Sequence, residues 1–563
     1  MREKIIKVIS IIFALVWCIV IFTEYWHYNP NYGKAIQLFQ YADLLIVFIL
    51  IGAGLSWFIS KPRNKPLKFI NGLCLFGFML FLDALTLSFF YGKIEALNIN
   101  AAGMMAHLGL FAGVAFCVYL IYLVSRVLGF SFTTVFPIKV SRPDLPIIQV
   151  ALGTAILTFL LFFLGILGVL NVFIIAPLLT LILAVNWRVT IDIIKKSLFK
   201  PLNIEGLNTL GVFCFLFLSL FLIFDFAQIL RPFPAGTDSI NLYVNLPKLI
   251  NDYSGLVAGN QPYNWSLFMS LGLVVFGRID VVLGLSFLGS FLALIALFRL
   301  SRKWLDINYS ALCLLLFFSV PMVNFLAYMD MKIDMALLFI SLSVLLLFYN
   351  WLVPPTFSTV SKSKETKIPI KKSKALKSKQ KRKAPRSVTP SYLIKIKTFF
   401  AEKNPPVFIQ NRLLIIMGLL AGFGFGIKLT FVFFFFALVT AIWYAEGGLL
   451  TFLSAFFLTL GTTFLLELDA HPLLRSFHKS VDVLQWILLG IGLVMAVFLF
   501  FKEKAIMIKL IRSSLILSIC FLLPILPWFG KNYAETESFT VEDLLNGKEA
   551  APVLDFKGMK KNN

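Results

Sequence analysis

Charge is what this sequence has least of: Asp, Glu, Lys and Arg make up 14% of its 563 residues, where a soluble domain carries roughly 25%. That shortage excludes an ordinary soluble globular fold, which must present many charged side chains to water. Histidine is nearly absent at four residues. His471 and His478 lack i, i+4 spacing and have no third ligand beside them, so no zinc site is expected. The six cysteines (Cys18, Cys74, Cys117, Cys214, Cys313 and Cys520) all lie in apolar runs, and none forms a CxxC pair. They read as small hydrophobes of helix interiors, not as redox or metal motifs. Alternating ten-residue strands, the mark of a membrane barrel, are missing too, and so is a glycine-rich nucleotide loop. Arg2, Lys4 and Lys7 open an apolar run as a signal peptide would, but no small-residue cleavage site follows it. Glu24, Tyr25, Trp26 and His27 come next, so a retained first helix is expected.

What the sequence has instead is hydrophobicity: 59% of residues are apolar and 61 are Phe. The apolar residues fall in nearly uncharged blocks of roughly 18–22 residues, about what a helix needs to cross a bilayer core. Backbone polar groups in lipid must be satisfied internally, which makes such blocks helices. The expected fold is all-α: a polytopic transmembrane helical bundle of about 15 spans. The spans are expected at 5–23, 42–60, 69–91, 106–126, 147–168, 171–187, 208–229, 280–299, 308–328, 335–352, 412–427, 429–446, 448–467, 484–501 and 509–528. The apolar stretch 263–277 is short and ends in Gly277-Arg278; it is expected to lie along the membrane surface.

Lys and Arg recur in every other loop: Lys61, Arg63, Lys65 and Lys68; Arg126, Lys139 and Arg142; Arg188, Lys195, Lys196 and Lys200; Arg299, Arg302 and Lys303; Lys502, Lys504, Lys509 and Arg512. Basic loops remain cytoplasmic, which places the N-terminus in the cytoplasm of a multi-pass protein of the plasma (inner) membrane. Ser361 to Arg386 holds twelve Lys or Arg and one Glu. By composition it resembles a nucleic-acid patch, but between spans it reads as a cytoplasmic loop drawn to anionic headgroups, with no nucleic-acid partner. The chain then divides into an N-terminal transmembrane bundle (1–207), a core (208–353) with an external loop at 231–262, a basic linker (354–411), a C-terminal bundle (412–535) and a polar tail (536–563).

The charge-poor face receives a selected set of polar groups. Asp238, Tyr243, Lys248 and Asn264 belong to its longest loop and the stretch that follows; Asp330 and Asp334 to a second turn; Lys428 to a third; Lys531 and Asn532 to the last. Carboxylates at a water–lipid boundary can take or align the proton of an acceptor hydroxyl. Cations beside them can neutralise a departing phosphate, and a bundle of helices supplies an apolar groove for a prenyl tail.

Five stretches taken in order resemble the GT-C glycosyltransferases, the polytopic class that includes protein mannosyltransferases and the aminoarabinose transferases of lipid A. They are Gly236-Thr237-Asp238-Ser239 through Tyr243, Val275-Phe276-Gly277-Arg278, Tyr328 through Asp334, Gly422 through Gly426-Ile427-Lys428, and Pro527-Trp528 through Lys531-Asn532. The resemblance covers about 208–535. It implies a bacterial inverting glycosyltransferase of the cell envelope, moving a sugar from a polyprenyl-phosphate donor to a saccharide, lipid or protein acceptor at an extracytoplasmic site. Asp238 would be the catalytic or acceptor-orienting aspartate, with Asp334 and Asp330 as the second acidic site. Tyr243, Lys248, Asn264, Arg278, Lys428, Lys531 and Asn532 would contact substrate. No cofactor is implied; a divalent cation is compatible with the chemistry, but nothing in the sequence requires one. Two features depart from the family pattern: seven spans precede the catalytic loop, and Ser239 stands where some relatives double the acidic residue.

Each residue also has a plainer reading. Gly-Thr-Asp-Ser is a turn or helix-cap composition, Asp330 and Asp334 can cap the next span, Lys428 can snorkel from a helix end, and Pro527-Trp528 can anchor at the interface. Asp83 and Asp225 lie within spans, where carboxylates are functional by default. The rival readings are a transporter or flippase of lipid-linked saccharide and a non-catalytic relative.

Overall fold

The computed structural model describes residue 16 and residues 42–60, 70–91, 101–202, 204–230, 243–259, 261–328, 333–354, 411–465 and 478–546. The expected span 5–23 falls outside these except for Val16. The loop carrying Asp238, the turn carrying Asp330, the basic stretch 361–386, His471 and the end of the polar tail also lie outside them.

Among the described residues the chain is helical and contains no strand. In order, the helices are α1 (Ala42–Ser60), α2 (Gly72–Tyr91), α3 (Ala101–Val135), α4 (Leu145–Ile166), α5 (Val172–Val185), α6 (Trp187–Ile194), α7 (Thr209–Ile229) and α8 (Asn245–Tyr253). Then come α9 (Asn264–Met269), α10 (Leu271–Val274), α11 (Ile279–Ser301), α12 (Ile307–Phe318), α13 (Pro321–Tyr328) and α14 (Asp334–Leu352). The series ends with α15 (Arg412–Phe425), α16 (Phe431–Gly447), α17 (Leu449–Leu465), α18 (His478–Lys502), α19 (Lys504–Leu522), α20 (Leu526–Thr536) and α21 (Val541–Asn546). Seven described helices are long and apolar enough to cross a membrane, or eight if the bent pair after Val172 is one span. Further apolar helical stretches of 10–17 residues include Ile46–Ile59 in α1, Gly72–Ser88 in α2, Phe431–Gly447 and Leu449–Leu465. Large apolar side chains stand exposed on the outside, Phe173 at 87% and Val494 at 69% among them. Water does not tolerate so wide an apolar exterior. This is a multi-pass helical membrane protein.

Three expected elements differ in form. The stretch 171–187 ends where the chain turns by 84° into α6; Val189 and Ile193 pack there on Leu123 and Val127 of α3, so the basic segment is a helix laid across the bundle and not a loop. The single span expected at 308–328 is two helices parted before Pro321, because proline lacks the N–H that would continue the ladder. Residues 263–277 are helical, but the helix is interrupted at Ser270, and every residue of α9 is buried. That stretch is packed inside the protein, where neighbouring helices cover the apolar side chains expected to face lipid.

Contacts between distant loops sort the bundle into two ends. At one, Arg412 donates to the carbonyl of Pro137 at 2.9 Å. Buried Asp144 there accepts from Lys303 and, at 3.0 Å, from Asn350, while Asn350 accepts from the Ser141 amide at 2.9 Å. At the other end Leu170 bonds Ser254, Asn264 bonds Gly426 and Gly259 bonds Glu535. Helices α4, α14 and α15 run between these sets, so among the described residues the basic segments around Ser141, Lys303 and Arg412 gather at one end and the charge-poor ones around Leu170, Asn264 and Gly426 at the opposite end. A large continuous apolar core, from Phe111 of α3 to Trp528 of α20, lies between them, with three smaller clusters beside it among the described residues.

Candidate functional site

At the charge-poor end three stretches far apart in sequence meet. Glycines permit the approach: a Cβ on Gly422 would lie 2.0 Å from the Phe521 carbonyl oxygen, and one on Gly426 would lie 2.2 Å from Asn264 Nδ2. Asn264 joins the stretches. Its backbone N–H donates to the Gly426 carbonyl at 2.8 Å, its Nδ2 donates to the Phe423 carbonyl at 3.0 Å, and its Oδ1 accepts from Trp528 Nε1 at 2.8 Å. The Trp528 indole is fully buried between Phe162 and Tyr263, with ring centroids at 4.7 and 4.6 Å. Tyr263 holds the Val257 backbone through its hydroxyl, and burial pushes its phenol well above the usual range, which keeps it neutral. Exchanging Asn264 for Leu keeps the branched shape but leaves the buried indole N–H without a partner and takes one of its two donors from the Phe423 carbonyl. A stability loss of about 1–3 kcal/mol is expected, read as a lower unfolding temperature of the detergent-purified protein. Unchanged unfolding would deny Asn264 its joining role.

Next to this junction lies a half-exposed ion pair. Lys428 Nζ is 2.7 Å from Asp334 Oδ1, with side chains 36% and 28% exposed. Asp334 opens α14, where the helix dipole favours a carboxylate. On the far side of Trp528, Lys531 pairs with Glu535 at 2.6 Å and is only 8% exposed. Glu535 also accepts from the Gly259 amide at 3.0 Å. Buried Asn532 donates to the Leu544 carbonyl at 2.9 Å and accepts from Lys531 at 3.3 Å.

No family model, curated protein or solved structure matches the chain. The site is therefore characterised by its own geometry.

Of the residues singled out in the sequence, Asn264, Asp334, Lys428, Lys531 and Asn532 share this end. The polar ends of Asn264, Lys531 and Asn532 are engaged by protein groups, which makes them holders of the framework. Lys428 and Asp334 keep an accessible face. Tyr243 is buried where the chain rejoins the core after loop 231–242; Leu230, on the other side of that loop, is buried in the same core. Asp238 and Asp330 lie outside the described residues. Lys248 pairs with Asp252 on the exposed side of α8, and Arg278 forks onto Asp280 at the start of α11. The Asp280 pairing holds the Arg278 guanidinium above its ordinary range.

Sequence reasoning missed several partners. Glu535 was legible at i+4 from Lys531. His107, which meets Asp83 at 3.1 Å, and Asn324, which donates to Asp225 at 2.9 Å, were hidden inside apolar blocks. Among the described residues no group of three His, Cys, Asp or Glu could hold a metal ion.

Proposed function

We propose that this chain is an inverting membrane glycosyltransferase of the GT-C type, moving a sugar from a polyprenyl-phosphate donor to an acceptor at the charge-poor end. What supports this reading is the meeting at one end of the stretches around Asn264, Asp334, Lys428 and Trp528, with Leu230 and Tyr243, which bound the loop that carries Asp238, buried in the same apolar core. In the proposed reaction the acceptor oxygen attacks the anomeric carbon while Asp238 takes the hydroxyl proton. The bond from that carbon to phosphate breaks, the configuration inverts, and polyprenyl phosphate leaves. Lys428, drawn from Asp334, faces the phosphate as its charge grows. Asp330 stands with Asp334 as the second acidic site.

The basic end is cytoplasmic in this proposal, since positive loops stay inside, and the site is extracytoplasmic. The shorter apolar helices complete about fifteen crossings of a bacterial inner membrane. Single cysteines at exposed positions beside Lys428 and Arg302 test the sidedness: an impermeant thiol reagent added to intact cells should label only the first. Labelling of the second alone reverses the orientation and with it the site.

Function is tested in proteoliposomes carrying a polyprenyl-phosphate sugar, with a panel of saccharide, lipid and peptide acceptors. A new glycosidic linkage is expected. Movement of labelled donor across the bilayer with no new linkage would instead establish the flippase reading. The Asp83–His107 and Asp225–Asn324 pairs favour that second reading, since polar pairs inside spans are the usual equipment of transporters.

A further inference from the structure

The basic end holds a feature that sugar transfer does not use. A cleft of about 460 Å³ opens between the end of α14 (Trp351, Leu352), the start of α15 (Asn411), the end of α16 (Glu446) and α19 (Lys509, Arg512). Glu446 is only 6% exposed. Its Oε1 meets Lys509 Nζ at 3.1 Å, whereas its Oε2 is buried with no hydrogen-bond partner among the described residues. A buried carboxylate oxygen without a donor is costly, and Glu446 lines an open cleft. Arg512, one turn along α19 from Lys509, is exposed, and no carboxylate pairs with it among the described residues.

The cleft is therefore short of two things at once: a hydrogen-bond donor for Glu446 Oε2 and an anion for Arg512, beside the largely exposed Lys509. One small zwitterion supplies both. Ile508, Ile511 and Leu515 of the same helix are exposed at 50%, 41% and 56%, which gives acyl chains an apolar surface beside the cleft and favours a lipid over a soluble ion.

We infer that this cleft binds the headgroup of a phosphoethanolamine-type membrane lipid, its phosphodiester on Lys509 and Arg512 and its primary ammonium donating to Glu446. No covalent step is involved, and the inference does not rest on the glycosyltransferase reading.

The full-length protein in mild detergent, titrated with defined phospholipids and read by native mass spectrometry, tests it. Phosphatidylethanolamine should be retained about 10-fold better than phosphatidylcholine, whose quaternary ammonium cannot donate. Glu446→Gln should bring that ratio close to one. Arg512→Ala, at an exposed position, should weaken both lipids together and keeps the test open if the Glu446 variant fails to fold. Soluble glycerophosphoethanolamine should not compete at concentrations that saturate the lipid. Equal retention of the two lipids, preference for phosphatidylglycerol, full competition by the soluble headgroup, a preference unchanged in Glu446→Gln, or binding unaffected by Arg512→Ala would each overturn the inference.

Discussion

Asp238→Asn is expected to lower sugar transfer by about 10²–10⁴-fold, the usual contribution of a positioned acid or base, while the protein folds and reaches the membrane as before. The substitution separates two roles. Asn caps a helix or closes a turn about as well as Asp does, so a purely structural Asp238 would tolerate it with little change in rate. Only a role needing the carboxylate's charge or basicity loses turnover. Initial rates in proteoliposomes at saturating donor measure the difference, and equal turnover in the two proteins would remove Asp238 from the mechanism. Lys428→Met should have a smaller effect, because in the proposed reaction one cation is only part of what stabilises the departing phosphate.

Gly153→Ala should cost the fold about 3 kcal/mol or more, although it adds one methyl group. Helices α3 and α4 touch backbone to backbone: a Cβ on Gly153 would sit 1.6 Å from the Ser125 carbonyl oxygen, and one on Gly129 would sit 1.7 Å from that of Gln149. Gly129 facing the Gln149 backbone and Gly153 facing that of Ser125 create this approach, the usual way for membrane helices to gain packing when lipid offers no hydrophobic drive. The obstructing atoms are backbone, so the helices must separate. Gly109→Ala and Gly113→Ala on the same α3 meet nothing within 4 Å and serve as controls, neutral or slightly stabilising through helix propensity. Thermal unfolding and monodispersity in detergent should rank Gly153→Ala far below both controls; parity would refute the close-packed crossing.

Where the helices lie could be read from apolar block lengths alone, as α4, α7, α11 and α14 illustrate. What failed was the inference that charge or polarity ends a span. In the sequence Arg126 reads as the end of one, yet α3 continues to Val135 over 35 residues, about 52 Å at 1.5 Å per residue. Arg126 donates to the Tyr122 hydroxyl one turn back at 2.9 Å, and Thr133 and Thr134 return their hydroxyls to the Phe130 carbonyl. Local bonds of this kind let polar residues stay helical. Burial of α9 was illegible for a different reason: an apolar stretch looks the same whether lipid or protein covers it.

At the site, residue choice went further than residue role. Lys428 and Asp334 were both singled out, but 94 residues separate them and no local pattern announces their pairing. In the sequence Asn264 stands at the end of the longest charge-poor loop, and the family resemblance offers it as a substrate contact. Its partners, the Phe423 carbonyl and the Trp528 indole, exist only once three distant stretches have assembled.

Asp144 at the opposite end is 1% exposed, and the Lys303 it receives is 14% exposed. Mobile counterions screen charges in contact with solvent and barely reach those sealed inside. Ionic strength therefore acts unequally along the molecular axis: it slackens the hydrated lip where Lys428 meets Asp334 and leaves the dry foot at Asp144 fastened.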